Sequence, residues 1–222
     1  MKRVYPYLLL LLPLCLVPAA RAQGPYDFAI TFGGVQDSSN GLGIENLSSP
    51  NAFASCTPSP ADPTCERNPA LGRFLMGFSG DAMLSKRFGF GGEFDFEPAK
   101  GNYGPLQYRQ EFYDFNGIYA PINNKRLTLR LEGGIGGAHT GFSEFQNQCV
   151  GIAVCSSYEY PVGSANHFQE HIGVGIQIPF MAHIFLRPQF EYRHVDGFTQ
   201  QFGRDTMFEG VISVGYNFGS YQ

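Results

Sequence analysis

The string His167-Phe168-Gln169-Glu170-His171 has the residue types of a metal-activated hydrolase. Two histidines four apart on a helix share one face and can grip one zinc ion, in the H-x-x-E-H pattern of one class of peptidase. That chemistry requires the helix. On an extended strand, residues four apart stand about 13 Å from each other at roughly 3.3 Å per residue. Ligands of one zinc must each lie about 2 Å from it. The string runs directly into Gly173-Val174-Gly175-Ile176-Gln177-Ile178, which alternates with period two. The expectation is a strand entering from a loop, with His171 on its polar face and no metal site.

Two other groups have the types needed for acyl transfer. His139, Ser143 and Glu144 offer a base, a nucleophile and an acid, and His194, Asp196 and Thr199 offer a looser set. Neither carries a recognisable enzyme signature, and no catalytic residue is expected from them. Gly133-Gly134-Ile135-Gly136-Gly137 lacks the strand–turn–helix context of a phosphate loop. Glycines in a strand more simply permit close packing or bending. The net charge of −4 leaves no basic surface for nucleic acid. No cofactor is expected.

Residues 1–22 read as a cleaved export signal. Lys2 and Arg3 are followed by the apolar stretch Leu8 to Val17 and the A-x-A site Ala20-Arg21-Ala22. The remaining domain is residues 23–222. Losing the signal removes Cys15 and leaves Cys56, Cys65, Cys149 and Cys155. An even count in an exported chain suggests disulfides, and four cysteines allow three pairings. The two local pairings are favoured, since each pair is close in sequence within a turn-rich segment.

The elements that must position these residues are strands. No apolar stretch after residue 22 approaches the ~20 residues of a membrane helix. Eight runs of period two recur instead. Tyr26, Phe28, Ile30 and Phe32 begin the first, and Phe74 to Leu84 form the second. Phe88 to Phe96 form the third, residues 107–119 a noisier fourth, and Leu127 to Ile135 the fifth. Phe168 to Ile178, Ile184 to Tyr192 and Phe208 to Phe218 complete the set. Their lengths suit tilted strands crossing a bilayer. Short links at Ser85-Lys86-Arg87, Pro121 to Lys125 and Pro179 to His183 alternate with longer ones at 36–71, 98–106, 140–165 and 196–204. One end of the barrel should therefore carry tight turns and both termini, and the other the loops and both cysteine pairs.

Alternation does not say which face is inside, because a soluble lipocalin-like barrel has the same period with an apolar lumen. Composition decides. Charged residues make up 15% of the chain against the roughly 25% usual for soluble domains. The polar face is largely glycine, with sparse charges of both signs, too poor in Lys and Glu for a wet exterior. It suits the crowded interior of an eight-stranded barrel. Arg73, Arg130, Arg187 and Arg193 are expected to pair there with Asp81, Glu93, Asp95, Glu132, Glu191 and Glu209, since buried charges need partners. Tyr26, Tyr119, Tyr192 and Tyr216 near strand ends would supply interface girdles.

The export signal, the eight runs, the loop asymmetry and the closing Val214-Gly215-Tyr216-Asn217-Phe218 together resemble the small OmpA/OmpX-type outer-membrane β-barrel family, over residues 26–218. The resemblance implies an all-β, eight-stranded antiparallel up-and-down transmembrane β-barrel, exported through the periplasm to a bacterial outer membrane. It implies contact with outer-membrane lipid and lipopolysaccharide, insertion by the barrel assembly machinery, and a monomer. In such proteins the closing strand carries an assembly signal of alternating aromatics, and Tyr216 and Phe218 match it. The role expected is non-enzymatic, in envelope structure or surface interaction.

Overall fold

In the computed structural model the described residues are 26–36, 43–45, 54–57, 59–60, 65–67, 72–103, 106–124, 126–150, 154–181 and 183–218. The expected signal and Cys15 lie outside them, as does most of the 36–71 link. In chain order the elements are β1 (Tyr26–Gln36), β2 (Gly43–Glu45), β3 (Ala54–Cys56), β4 (Glu66–Arg67), β5 (Gly72–Met83), β6 (Phe88–Phe96), β7 (Gly101–Tyr103) and β8 (Leu106–Asn123). They continue with β9 (Thr128–Val150), β10 (Val154–Pro179), β11 (Ile184–Val195), the one-turn α1 (Thr199–Phe202) and β12 (Thr206–Asn217).

Strands β1, β5, β6, β8, β9, β10, β11 and β12 form a closed antiparallel ring in that order. β12 returns to β1 with Asp27 opposite Asn217 and Gln36 opposite Phe208. Closure leaves no strand edge unpaired around the ring, which a chain in lipid requires. Both ends of the described barrel meet at the short-turn end, where the Phe218 amide donates to the Tyr26 carbonyl at 2.7 Å. The tight turns there are held by side chains suited to them. Ser85 Oγ accepts from the Phe88 amide at 3.1 Å, and Asn124 Oδ1 accepts from the Arg126 and Leu127 amides at 2.9 and 3.1 Å.

The orientation follows the side-chain period of the strand. In β11, Arg187, Gln189, Glu191 and Arg193 are buried, while Phe190 and Tyr192 point outward. Every ring strand presents large apolar residues to the outside, from Phe28, Phe74 and Phe90 round to Phe115, Ile135, Ile172 and Phe208. Tyr26, Tyr119, Tyr192 and Tyr216 are outward as well. Neighbouring rings meet across strands, as in Phe88 with Tyr119 at 5.1 Å and Phe190 with Phe208 at 5.8 Å between centroids. An apolar belt of that extent is a membrane surface rather than a wet one. A lipocalin-like carrier needs the inverse orientation, so that reading is overturned.

Three of the four longer links carry strands where loops are expected. Residues 140–165 are not a loop: the β9–β10 ladder runs unbroken in both strands from Gln177 opposite Thr128 out to Val154 opposite Val150, apart from one irregularity between Pro161 and Gly163. Residues 98–106 contain β7, which folds back on the start of β8 with Gly101 opposite Tyr108. In the 36–71 link, β2 pairs with both β3 and β4 as a small separate sheet.

Candidate functional site

The polar interior divides into two charge clusters. In the one nearer the short-turn end, Arg187 Nη1 donates to Asp81 Oδ2 at 2.8 Å and its Nη2 to Ser79 Oγ at 2.7 Å. Arg130 Nη2 lies 2.7 Å from Asp81 Oδ2 and 3.7 Å from Glu132 Oε2. Asp27 stands 3.8 Å from Arg130 and 3.9 Å from Arg187. In the other cluster Arg193 is the hub. Its Nε donates to Glu209 Oε2 at 2.6 Å, Nη1 contacts Asp114, and Nη2 lies 2.7 Å from Glu191 and 3.5 Å from Asp95. His171 sits beside it, 3.5 Å from Asp114 Oδ1 and 4.0 Å from Glu191 Oε2. Glu93 is buried in the interior with no ion-pair partner within 4.0 Å among the described residues.

Nine of the ten charged residues expected inside are thus buried there, and Arg73 is a correction. It lies near the outer end of β5, only partly buried, and its guanidinium donates to the Lys100 carbonyl. Its strand face is inward, but its height along the barrel puts it at the rim. Asp27 and Asp114 are essential members that composition did not single out. Each is a lone acid in an aromatic run, and its arginine partner comes from β9 or β11.

Glycine explains how eight strands make room for this chemistry. Gly77 stands opposite Asp95, Gly91 opposite Asp81, Gly136 opposite Asp114, and Gly173 between Glu132 and Glu191. A Cβ on Gly77 or Gly91 would collide with the neighbouring carboxylate oxygen. The glycine-rich polar face is the set of recesses into which the charged side chains lie.

Both ends of this interior are apolar. At the short-turn end Met83, Ile118 and Ala120 cluster, and Phe185 places its ring 5.7 Å from the Arg187 guanidinium. At the outer end a larger cluster includes Leu75, Phe112, Phe142, Val195, Phe198, Phe202, Met207, Tyr103 and Tyr108. This plug is not expected from the sequence, where Leu75, Phe112 and Met207 are scattered apolar residues on a face made largely of glycine and charges. The Tyr103 hydroxyl donates to the Gln201 carbonyl. Burial, with Tyr108 beside it, pushes that phenol well above the ordinary tyrosine range, so it stays a donor.

At the rim the acyl-transfer candidates do not assemble. His139 Nδ1 is 2.7 Å from Asn166 Oδ1, while Ser143 Oγ accepts from Lys100 Nζ at 3.0 Å. Burial and the nearby Arg109 guanidinium lower the Lys100 ammonium's pKa, and Glu159 pairs with it. His194 Nε2 does lie 3.3 Å from Asp196 Oδ1, but Thr199 is engaged through its amide with Asp205. His167 and His171 lie on β10 as expected, His171 in the charge cluster and His167 at the outer mouth. Among the described residues no three His, Cys, Asp or Glu side chains converge as metal ligands.

No protein-family model matches the chain, and no curated protein sequence does. Solved structures do match. Neisserial surface protein A superposes with a TM-score of 0.53 at 10% identity, over 87% of this chain and 97% of that one. The attachment invasion locus protein Ail of Yersinia pestis matches at 0.47 and 14%, over 88% and 99%. OprG of Pseudomonas aeruginosa matches at 0.46 and 14%, over 89% and 98%. The chain shares with the first of these the fold of a small outer-membrane β-barrel, and its closed ring and apolar belt make a bacterial outer membrane its location.

Proposed function

We propose that this protein is a non-enzymatic, non-conducting barrel that holds the β9–β10 arm above the outer face of the membrane for contact with a surface partner. The observation that carries the reading is the length of that ladder. Pairing of β8 with β9 ends at Gln107 opposite Ser143, and pairing of β10 with β11 ends at Gln169 opposite Val195. From Ser143 to Val150 the arm extends about 23 Å further at roughly 3.3 Å per residue. Tyr158, Tyr160 and Phe145 are exposed on it. The polar interior lies between two apolar layers, which supports the absence of an ion path. The belt would contact outer-membrane lipid and lipopolysaccharide, the assembly machinery would read Tyr216 and Phe218, and ring closure supports a monomer.

Purified protein in planar bilayers is expected to give no step-like conductance, and an epitope placed between Val150 and Val154 should be stained on intact cells. Steady single-channel currents would sink the sealed-barrel reading. Staining only after permeabilisation would invert its orientation.

The two local disulfides belong to the same reading, as staples of the outer segments. Cys149 and Cys155 are opposite each other in the β9–β10 register. Cys56 ends β3 and the buried Cys65 precedes β4, and these two strands flank β2. Peptide mapping without reductant should recover Cys56 linked to Cys65 and Cys149 linked to Cys155; free thiols or crossed pairs would reject the staples.

A further inference from the structure

The link from β11 to β12 lies across the outer mouth of the barrel. Gly197 (φ 82°) and Gly203 (φ 84°) flank α1 in the left-handed region, which lets so short a segment turn down and back. Phe198 and Phe202 are fully buried, and the Phe202 ring meets Tyr103 and Tyr108 at 5.7 and 5.2 Å. The segment is therefore a lid whose underside is part of the aromatic plug.

Its attachment to the barrel wall converges on one side chain. His167 of β10 places Nδ1 2.7 Å from the Asp196 carbonyl oxygen and Nε2 3.1 Å from Gln201 Oε1. Its ring stands edge-on to Phe198 at 5.1 Å. A Cβ on Gly197 would be 3.2 Å from Nδ1, so the lid backbone is drawn close to the imidazole. The ring thus ties both ends of the lid's first half to the wall.

Both atoms facing the imidazole are acceptors. A carbonyl has no proton to give, so Nδ1 must donate to Asp196. Nε2 meets an amide oxygen, and only the imidazolium carries a proton on both nitrogens at once. A neutral ring keeps the first bond and sets a lone pair against the second oxygen. His167 is only partly buried, so solvent protons reach it. The charged groups around it are engaged elsewhere or lie apart. The Asp196 carboxylate contacts His194, the Asp205 carboxylate holds the Thr199 amide, Glu170 lies on the outer face of β10, and Arg204 is exposed. Across β9 the position opposite His167 is the uncharged Ala138.

We propose that His167 is a protonation-controlled latch: as imidazolium it closes the lid over the aromatic mouth, and as the neutral ring it frees the Gln201 end. Opening uncovers Phe198, Phe202, Tyr103 and Tyr108 to the cell exterior, a surface suited to an apolar ligand. The latch does not depend on the identity of any partner of the β9–β10 arm.

Amide hydrogen exchange of the mature barrel in lipid vesicles tests this, with rates corrected for intrinsic exchange. Protection of residues 196–205 should fall roughly three- to tenfold between about pH 5.5 and pH 8, while strand amides of β11 stay unchanged. His167→Phe, which keeps the ring packing, should give low protection at every pH. Gln201→Glu, which strengthens the hold on an imidazolium, should move the loss to higher pH. Wild-type protection that is flat with pH would overturn the latch, because the Gln201 amide would then be donating to a neutral ring. An unshifted profile in Gln201→Glu would overturn it independently, and that variant decides the matter should His167→Phe fail to fold.

Discussion

Arg193→Met is expected to lower the stability of the folded barrel by about 3–5 kcal/mol, the range for removing one partner of a buried ion pair. Arg193 is fully buried, and carboxylates arrive around it from four strands: Asp95 on β6, Asp114 on β8, Glu191 on β11 and Glu209 on β12. Methionine fills similar space and keeps the contact with Phe112, whose ring lies 5.2 Å from the guanidinium carbon. It leaves the four acids facing one another without a cation. Arg193→Lys should lose most of the same stability, because one ammonium cannot make the spread of contacts that a planar five-donor fork makes. Arg73→Met serves as the control, since removing its bond to the Lys100 carbonyl at the rim should cost no more than about 1 kcal/mol. Urea-induced unfolding in lipid vesicles, read by heat-modifiable gel mobility, measures all three. An Arg193→Met midpoint equal to that of the wild type would mean that the cluster does not hold the ring together.

The depth of each residue along the barrel axis was the part that the amino-acid pattern concealed. Period two separates inside from outside because a strand turns successive side chains to opposite faces. It therefore sets Arg187 and Glu191 on one face and Phe190 and Tyr192 on the other, and the sparse, mixed charge of the first face puts that face inside. It carries no information on height, which depends on the stagger between strands. Leu75, Phe112 and Met207 were visible as apolar departures on the inner face. That they meet Phe198 and Phe202 in one plug follows only from the register of β5, β8 and β12. Arg73 was placed too deep for the same reason. The arm escapes the sequence pattern for a different reason. Around Gly141, Pro161 and Gly163 the apolar alternation stops, yet a ladder whose two faces are both wet needs no such alternation, only paired backbone groups. On the extended β9, four residues separate His139 from Ser143, and the two side chains meet different partners, Asn166 and Lys100. His167 is kept by the same extended geometry from sharing a metal with His171. Its contact with Asp196 and Gln201 joins parts of the chain that no local motif connects.

Gly136→Val is expected to cost the barrel several kcal/mol and Gly210→Val nothing, although each adds the same side chain to a glycine in a ring strand. Gly136 faces inward on β9, opposite Asp114 on one side and Gln169 on the other. A Cβ there would stand well inside 3.0 Å of the Tyr113 carbonyl oxygen and 2.7 Å from Asp114 Oδ1. The first obstacle is backbone within the β8–β9 ladder, which cannot swing aside as a flexible side chain can. The second is the acid that binds Arg193, so overpacking and loss of the ion pair act together. A cost of about 3 kcal/mol or more follows, with failure to insert as the extreme result. Gly210 faces outward on β12 between Gly34 and Phe190, and an added Cβ has no heavy atom within 4 Å. Valine there exchanges a flexible residue for a strand former and covers backbone with an apolar group that lipid accepts. It should leave stability unchanged or raise it by up to about 1 kcal/mol. The pair isolates what the sheet demands of its two faces: the inner glycines are recesses required by the charges opposite them, whereas no neighbour among the described residues requires Gly210. Equal losses at both positions would show that the strand itself, and not the crowded interior, sets the need for glycine.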